Sequence, residues 1–232
     1  VELDRQLSPK QHVAILQLGI PGVYFAKGMT RIYPRGQTAA HILGAVDTDH
    51  IGIAGIEKSF NASLSAGDDV MLSLDIGLQT IIGHEIQKQI DRFEAIGGAG
   101  VILDMHSGEI LAAASQPDFN PNQFGRASAD ARFNRTTKGL YEMGSTFKVL
   151  NTAIALETGA AEINQRFDVG KPMRISRFTI TDYKPRNRPL NVPEIMVYSS
   201  NIGSARIAEE IGAETQRSYM DKLGLLDRLP LE

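Results

Sequence analysis

The chain has 232 residues, 42% of them hydrophobic and 22% charged, with a formal net charge of −3 and no cysteine. The apolar fraction excludes a disordered chain, and the mildly negative charge excludes a generally cationic nucleic-acid binder. Zero cysteines exclude disulfides, thiolate metal sites and cysteine nucleophiles. The length allows one or two domains of roughly 150 residues each, and no apolar run approaches the roughly 20 residues of a membrane helix. The chain opens on Val1 and closes on Leu231-Glu232 without a finishing element, as expected of a segment of a longer polypeptide.

The first third is broken by turn residues: Gly19, Pro21-Gly22, Gly28, Pro34, Arg35-Gly36 and Gly44. Between the breaks, Val23–Phe25 and Met29–Tyr33 are expected as strands. Thr38–Leu43 is expected as a short helix ending at Gly44, and a further helical piece spans Ile56–Asn61. Gly67-Asp68-Asp69 then marks a soft boundary. Val70–Leu74 reads as a strand and Asp75 as the cap of a helix whose Leu78, Ile82, Ile86 and Ile90 form one buried stripe. Ala99–Asp104 and Glu109–Ala114 flank His106-Ser107-Gly108 and predict an antiparallel hairpin. Their nearly continuous apolar runs suit strands covered on both faces. Gln116–Lys138 reads as a polar surface excursion. Ser145–Glu157 is strongly helical, apolar around most of its circumference, with Gly159 as its C-terminal cap. Asn191–Glu194 opens another helix, and two more follow at about 202–211 and 214–223 before Gly224.

Gly144-Ser145-Thr146-Phe147-Lys148, at the head of the most apolar helix, is the informative stretch. A serine and a lysine three apart share a helix face, so the amine can reach the hydroxyl. The helix N-terminus offers N–H donors where an oxyanion would form, and burial favours a neutral amine able to take the serine proton. Ser199-Ser200-Asn201, at a break between helical pieces, is by itself a turn or cap signal. Beside the first element it offers a second hydroxyl, Ser199, to pass a proton to a leaving group, and an amide, Asn201, to hold a substrate peptide bond. His12, His41, His50, His84 and His106 lack ligand spacing, so no metal is expected. Asp47–His50 reads as a solvated turn and Lys184–Arg188 as an exposed basic loop.

Ser-x-x-Lys followed by Ser-x-Asn is the signature shared by penicillin-binding proteins and serine β-lactamases. Tyr141–Lys148 and the hairpin Gly100–Asp104 … Ser107–Ala112 resemble the corresponding segments of class B penicillin-binding proteins. Arg31–Pro34, Ala40–Gly44 and Gly55–Phe60 resemble that family's non-catalytic pedestal, within which Arg31 and Glu57 would make a structural pair. Val46-Asp47 … Gly55–Ser59 is most similar to the division-type (FtsI-like) branch. Two departures stand out: Met143 replaces a frequent proline, and the third motif of the family, Lys-Thr-Gly, occurs nowhere in the sequence.

The resemblance implies an α+β chain in two parts. Residues 1–66 would be the end of a β-rich pedestal, and residues 67–232 the N-terminal part of a transpeptidase domain. It implies that Ser145 attacks a D-Ala-D-Ala peptide bond of a peptidoglycan stem, Lys148 takes its proton, Ser199 relays a proton to the leaving amine and Asn201 orients the donor. β-Lactams would acylate Ser145, and no cofactor would be needed. It also implies a place on the periplasmic face of the bacterial inner membrane, with a membrane glycosyltransferase and division proteins as pedestal partners. A β-lactamase or β-lactam sensor, and a non-catalytic interaction module, are the alternatives. Without the third motif, this stretch alone is expected to acylate poorly, and either to associate or to be disordered around 116–138 and 170–190.

Overall fold

In the computed structural model, residues 3–4 and 7–228 are described. The chain divides into two compact units, one running to Gly139 and one starting at Leu140. Helix and strand are mixed, and every sheet among the described residues is a two-stranded antiparallel ladder.

The first unit opens with helix α1 (Pro9–Gln17). Its capping box is legible in Ser8-x-x-Gln11: Ser8 Oγ accepts from the Gln11 N–H at 3.3 Å, and Gln11 Oε1 accepts from the Ser8 N–H at 2.9 Å. The strands expected at 23–25 and 29–33 do not form. A strand needs a partner ladder, and Tyr33 instead pairs its N–H and C=O with the side-chain amide of Asn122, both at 2.9 Å. Helix α2 (Ala40–Leu43) ends at Gly44, and strands β1 (Ala45–Val46) and β2 (Gly52–Ala54) lead into α3 (Gly55–Ser59) and α4 (Asn61–Ala66). Backbones meet here without room for side chains: a Cβ at Gly44 would lie 1.8 Å from the Ala54 carbonyl oxygen. Between β1 and β2, Asp47 Oδ1 accepts from the Asp49 and Ile51 N–H groups, which makes the expected solvated turn.

Residues 70–74 carry no strand ladder, since only Ser73 Oγ and the Asp75 N–H reach the neighbouring carbonyls of Ile110 and Leu111. Asp75 then caps α5 (Ile76–Phe93), its Oδ1 accepting from the Leu78 N–H at 2.9 Å. The expected hairpin is present as β3 (Gly98–Leu103) and β4 (Ile110–Gln116). The α5 stripe packs on β3, where the glycines make room: a Cβ at Gly98 or Gly100 would lie 2.9 Å from Ile86 or Ile82 respectively. Only β4 is covered on both faces; Val101 and Leu103 of β3 remain exposed, because α5 covers just one side of that strand.

Residues 116–138 are less solvated than their polarity suggests. A 3₁₀ segment (Pro121–Arg126) and α6 (Ala129–Arg132) fold back onto the unit. Phe119 is buried edge-on against His41 and Phe124, and His41 Nε2 donates to the Ala131 carbonyl at 2.7 Å.

The second unit contains α7 (Phe147–Thr158), then strands β5 (Arg166–Phe167), β6 (Met173–Ile175), β7 (Phe178–Ile180) and β8 (Leu190–Asn191). Helices α8 (Val192–Val197), α9 (Asn201–Ile211) and α10 (Ala213–Lys222) complete it. The expected Gly159 cap is in place, with a left-handed φ of 69° after α7, and α8 starts where expected, with a capping box between Asn191 and Glu194. The core gathers Ile154, Phe167, Leu190, Ile195, Ile202 and Ile207. Gly203 lets α9 approach α8 closely, since a Cβ there would lie 2.5 Å from Ile195 Cγ1. The helix after Ser145 is not buried all round: Phe147 and Val149 are 41% and 56% exposed, because α8, α9 and α10 cover one side of α7 only.

Candidate active site

Ser145 sits in a 3₁₀ turn (Gly144–Thr146) that runs into α7, entered through Gly144 at a left-handed φ of 54°. Lys148 follows in the first turn of α7 and points inward; it is buried, at 9% exposure, while Ser145 is exposed. The other half comes from the break between α8 and α9. After Tyr198 closes α8, Ser199 adopts φ 51°, a region that costs a non-glycine residue about 1 kcal/mol or more. Ser200 then caps α9, its Oγ accepting from the Gly203 N–H at 2.9 Å.

All four residues singled out in the sequence converge. Lys148 Nζ lies 3.1 Å from Ser145 Oγ, 3.0 Å from Ser199 Oγ, 2.7 Å from the Ser199 carbonyl and 2.7 Å from Asn201 Oδ1. The two hydroxyls are 2.9 Å apart. The Ser199 carbonyl and Asn201 Oδ1 can only accept, so they claim two N–H donors of the lysine. The hydroxyls can donate as well as accept, so a neutral amine at this position turns its lone pair toward a serine proton. Burial pushes the Lys148 pKa down, and the Asp182 carboxylate works in the opposite direction.

Two N–H groups at the head of α7 are engaged within the turn itself. Thr146 N–H is taken by the Met143 carbonyl, and Phe147 N–H by Gly144 and Ser145. The segment 181–188 carries the residue that sequence reasoning missed. Asp182 accepts from Ser200 Oγ at 2.7 Å and from the Ile202 N–H at 3.0 Å, and the Thr181 carbonyl accepts from Asn201 Nδ2 at 2.9 Å. No motif announced Asp182; it lies 17 residues before Ser199 in an irregular polar stretch. The neighbouring basic cluster is the expected exposed loop, with two of its arginines engaged. Arg186 stacks over the Tyr198 ring at 4.1 Å, and Arg188 forks onto Glu194 at 2.7 and 3.0 Å.

Residues 98–231 match the family model of the penicillin binding protein transpeptidase domain. The chain is 40% identical over 224 residues to a probable peptidoglycan D,D-transpeptidase FtsI of Caulobacter vibrioides, covering 94% of this chain and 38% of that protein. It is 30% identical over 251 residues to the peptidoglycan D,D-transpeptidase FtsI of Escherichia coli K12, covering 97% and 42%. Among solved structures, it superposes on penicillin binding protein 3 of Mycobacterium tuberculosis with a TM-score of 0.76 at 26% identity, over 84% of this chain and 47% of that one. That protein has also been solved in complex with aztreonam. The chain thus spans less than half the length of these relatives.

Proposed function

We propose, from the premise that the chain belongs to the penicillin-binding transpeptidase family and to its class B, FtsI-like branch, that its protein cross-links peptidoglycan stem peptides through a serine acyl-enzyme. The observation that carries this reading is a buried lysine amine within hydrogen-bonding distance of two hydroxyls, Ser145 and Ser199, with only uncharged oxygens in its first contacts. Ser145 Oγ attacks the carbonyl carbon of a D-Ala-D-Ala peptide bond as Lys148 Nζ takes its proton. When the tetrahedral species collapses, the C–N bond breaks, and Ser199 Oγ relays that proton to the departing D-Ala amine. Asn201 holds the donor: one N–H of its amide goes to Thr181, and the other is left for a substrate carbonyl. An amine of a second stem then attacks the ester, its proton returns to Ser145 Oγ, and the cross-link forms. β-Lactams enter the same path and stop at the acyl-enzyme.

The test is covalent labelling of the full-length protein by a fluorescent penicillin. Ser145→Ala should abolish labelling while its thermal unfolding stays cooperative; undiminished labelling would assign the nucleophile elsewhere. The names of the relatives weigh against the β-lactamase and sensor alternatives.

The exposed apolar side chains Leu18, Tyr24, Met29 and Ile32 favour an additional docking role for residues 1–66. That segment would be the end of a pedestal facing a membrane glycosyltransferase or division protein on the periplasmic side of the inner membrane, and residues 67–232 part of the transpeptidase domain. Deleting residues 1–66 should then abolish partner capture and spare acylation; loss of both would refute a separable docking role.

A further inference from the structure

Resting on the acyl-transfer reading above, we infer that Asp182 is a positioning residue that locks the Ser199–Asn201 turn into the conformation that serves Lys148. The turn needs a lock. Ser199 is held at φ 51°, and this conformation brings its hydroxyl and its carbonyl to the same amine. Relaxing that backbone to an ordinary φ would turn the carbonyl away from Lys148.

Asp182 grips the turn at two points at the head of α9. One carboxylate oxygen takes the Ser200 hydroxyl and the other takes the Ile202 N–H, in the first turn of α9. A negative charge there also meets the positive end of an eleven-residue helix. Ser200 is 2% exposed, so its hydroxyl has little access to water if the carboxylate is removed. The residue before it, Thr181, holds the Asn201 amide through its carbonyl. Two adjacent residues therefore fix three consecutive positions of the turn, 200, 201 and 202.

A consequence separates this role from simple support of the fold. Ser145 in its own turn, and Ser199 and Asn201 in the α8–α9 turn, meet Lys148 with uncharged groups; Asp182 is the charged group whose field reaches it. Its carboxylate stabilises the ammonium form and so opposes the burial that favours the free amine. Removing the charge should make Lys148 easier to deprotonate even as the turn loosens.

The experiment is the penicillin acylation rate of the full-length protein as a function of pH. Asp182→Asn should lower the plateau rate by roughly ten- to a hundredfold, as misplacement of reacting groups does, and should move the acid limb to lower pH. Ser200→Ala removes one anchor without touching the charge, and should lower the plateau while leaving the limb in place. An acid limb unmoved by Asp182→Asn, or moved equally by Ser200→Ala, overturns the inference. Amide hydrogen exchange supplies a readout independent of the nucleophile. Asp182→Ala should deprotect Ile202 and Gly203 relative to the rest of α9, and unchanged protection would overturn the lock. Labelling of Ser145→Ala, by contrast, would fault the acyl-transfer reading and leave the exchange result to stand or fall alone.

Discussion

Glu57 in the first unit and Lys148 in the second are buried to nearly the same depth, with 8% and 9% of their surface exposed, yet their surroundings differ in kind. Glu57 meets a full opposite charge: Arg31 Nε is 3.0 Å from its carboxylate. That contact is structural, as the pedestal-like motifs suggested, and its field also acts on the buried Tyr33 phenol, whose pKa is raised by burial and by Glu57. Lys148 instead meets two hydroxyls, a carbonyl and an amide oxygen, all uncharged. An ion pair fixes a charge state, whereas uncharged partners, two of them hydroxyls that donate as well as accept, leave the amine able to change it. Burial of a charged residue type therefore says little about function until its partners are known.

The largest effect expected from breaking this contrast is at Lys148. Lys148→Arg keeps a cation but cannot accept the Ser145 proton, because a guanidinium stays protonated at working pH. Acylation in the full-length protein should fall by at least about a hundredfold, the lower end of what a positioned base contributes. Retention of more than about a tenth of the rate, a barrier change under 1.4 kcal/mol, would reduce Lys148 to a packing or charge role. The pH dependence has a definite sign. Only the free amine accepts a proton, so the wild-type rate should rise with pH through the lowered lysine pKa.

The reverse manipulation makes Glu57 resemble an unpaired buried charge. Arg31→Ala should destabilise the protein by about 2 kcal/mol in chemical denaturation, short of the 3–5 kcal/mol typical of a broken fully buried pair. The reduction follows from Arg31, whose side chain is 39% exposed, so water can enter beside the carboxylate. A loss below about half a kcal/mol would place the pair with ordinary surface bridges and remove one side of the comparison.

What could be seen in the sequence follows the same division. Local spacing and punctuation disclosed the α5 stripe with its Asp75 cap, the β3–β4 hairpin and the start of α8, because each depends on neighbours within a few residues. Ser145 with Lys148, and Ser199 with Asn201, were legible as motifs, and the fold brings the two pairs together across about 50 residues. Asp182 was not legible, since a carboxylate gripping a turn 18 residues away leaves no periodic trace. The segments at 23–33 and 70–74 have strand-like composition but no ladder, and composition cannot supply a partner. The apolar circumference of α7 promised enclosure, yet exposed Phe147 and Val149 show that it is covered on one side only.

Gln79 sharpens the comparison as a buried polar group with no charge to place. At 5% exposure it joins α5 to β4 through two 2.9 Å bonds, its Nε2 donating to the Ala113 carbonyl and its Oε1 accepting from the Ala113 N–H. Gln79→Ala should cost about 1–2 kcal/mol, because both backbone groups of Ala113 lose their partner. A neutral result in denaturant titration would mean that water replaces the amide there.

The smallest effect is expected at the exposed counterpart of the Arg31–Glu57 pair, Arg188 with Glu194. The guanidinium fork and the Asn191 N–H hold the Glu194 carboxyl down to about 2, from an ordinary value of 4.5. A depressed carboxylate contributes stability that is fully present above its unfolded pKa and is lost as pH falls through its folded one. Glu194→Gln retains a side chain suited to the α8 capping box, so it removes chiefly the charge. The melting temperatures of wild type and Glu194→Gln should therefore differ by a small, constant amount above about pH 5. That difference should close between pH 4.5 and 2 as the wild-type carboxylate takes up its proton. A gap that persists at pH 2 would show that Glu194 acts through hydrogen bonding alone, and one that widens in acid would reverse the sign of the linkage. Either outcome would separate this exposed pair from the buried one by mechanism as well as by magnitude.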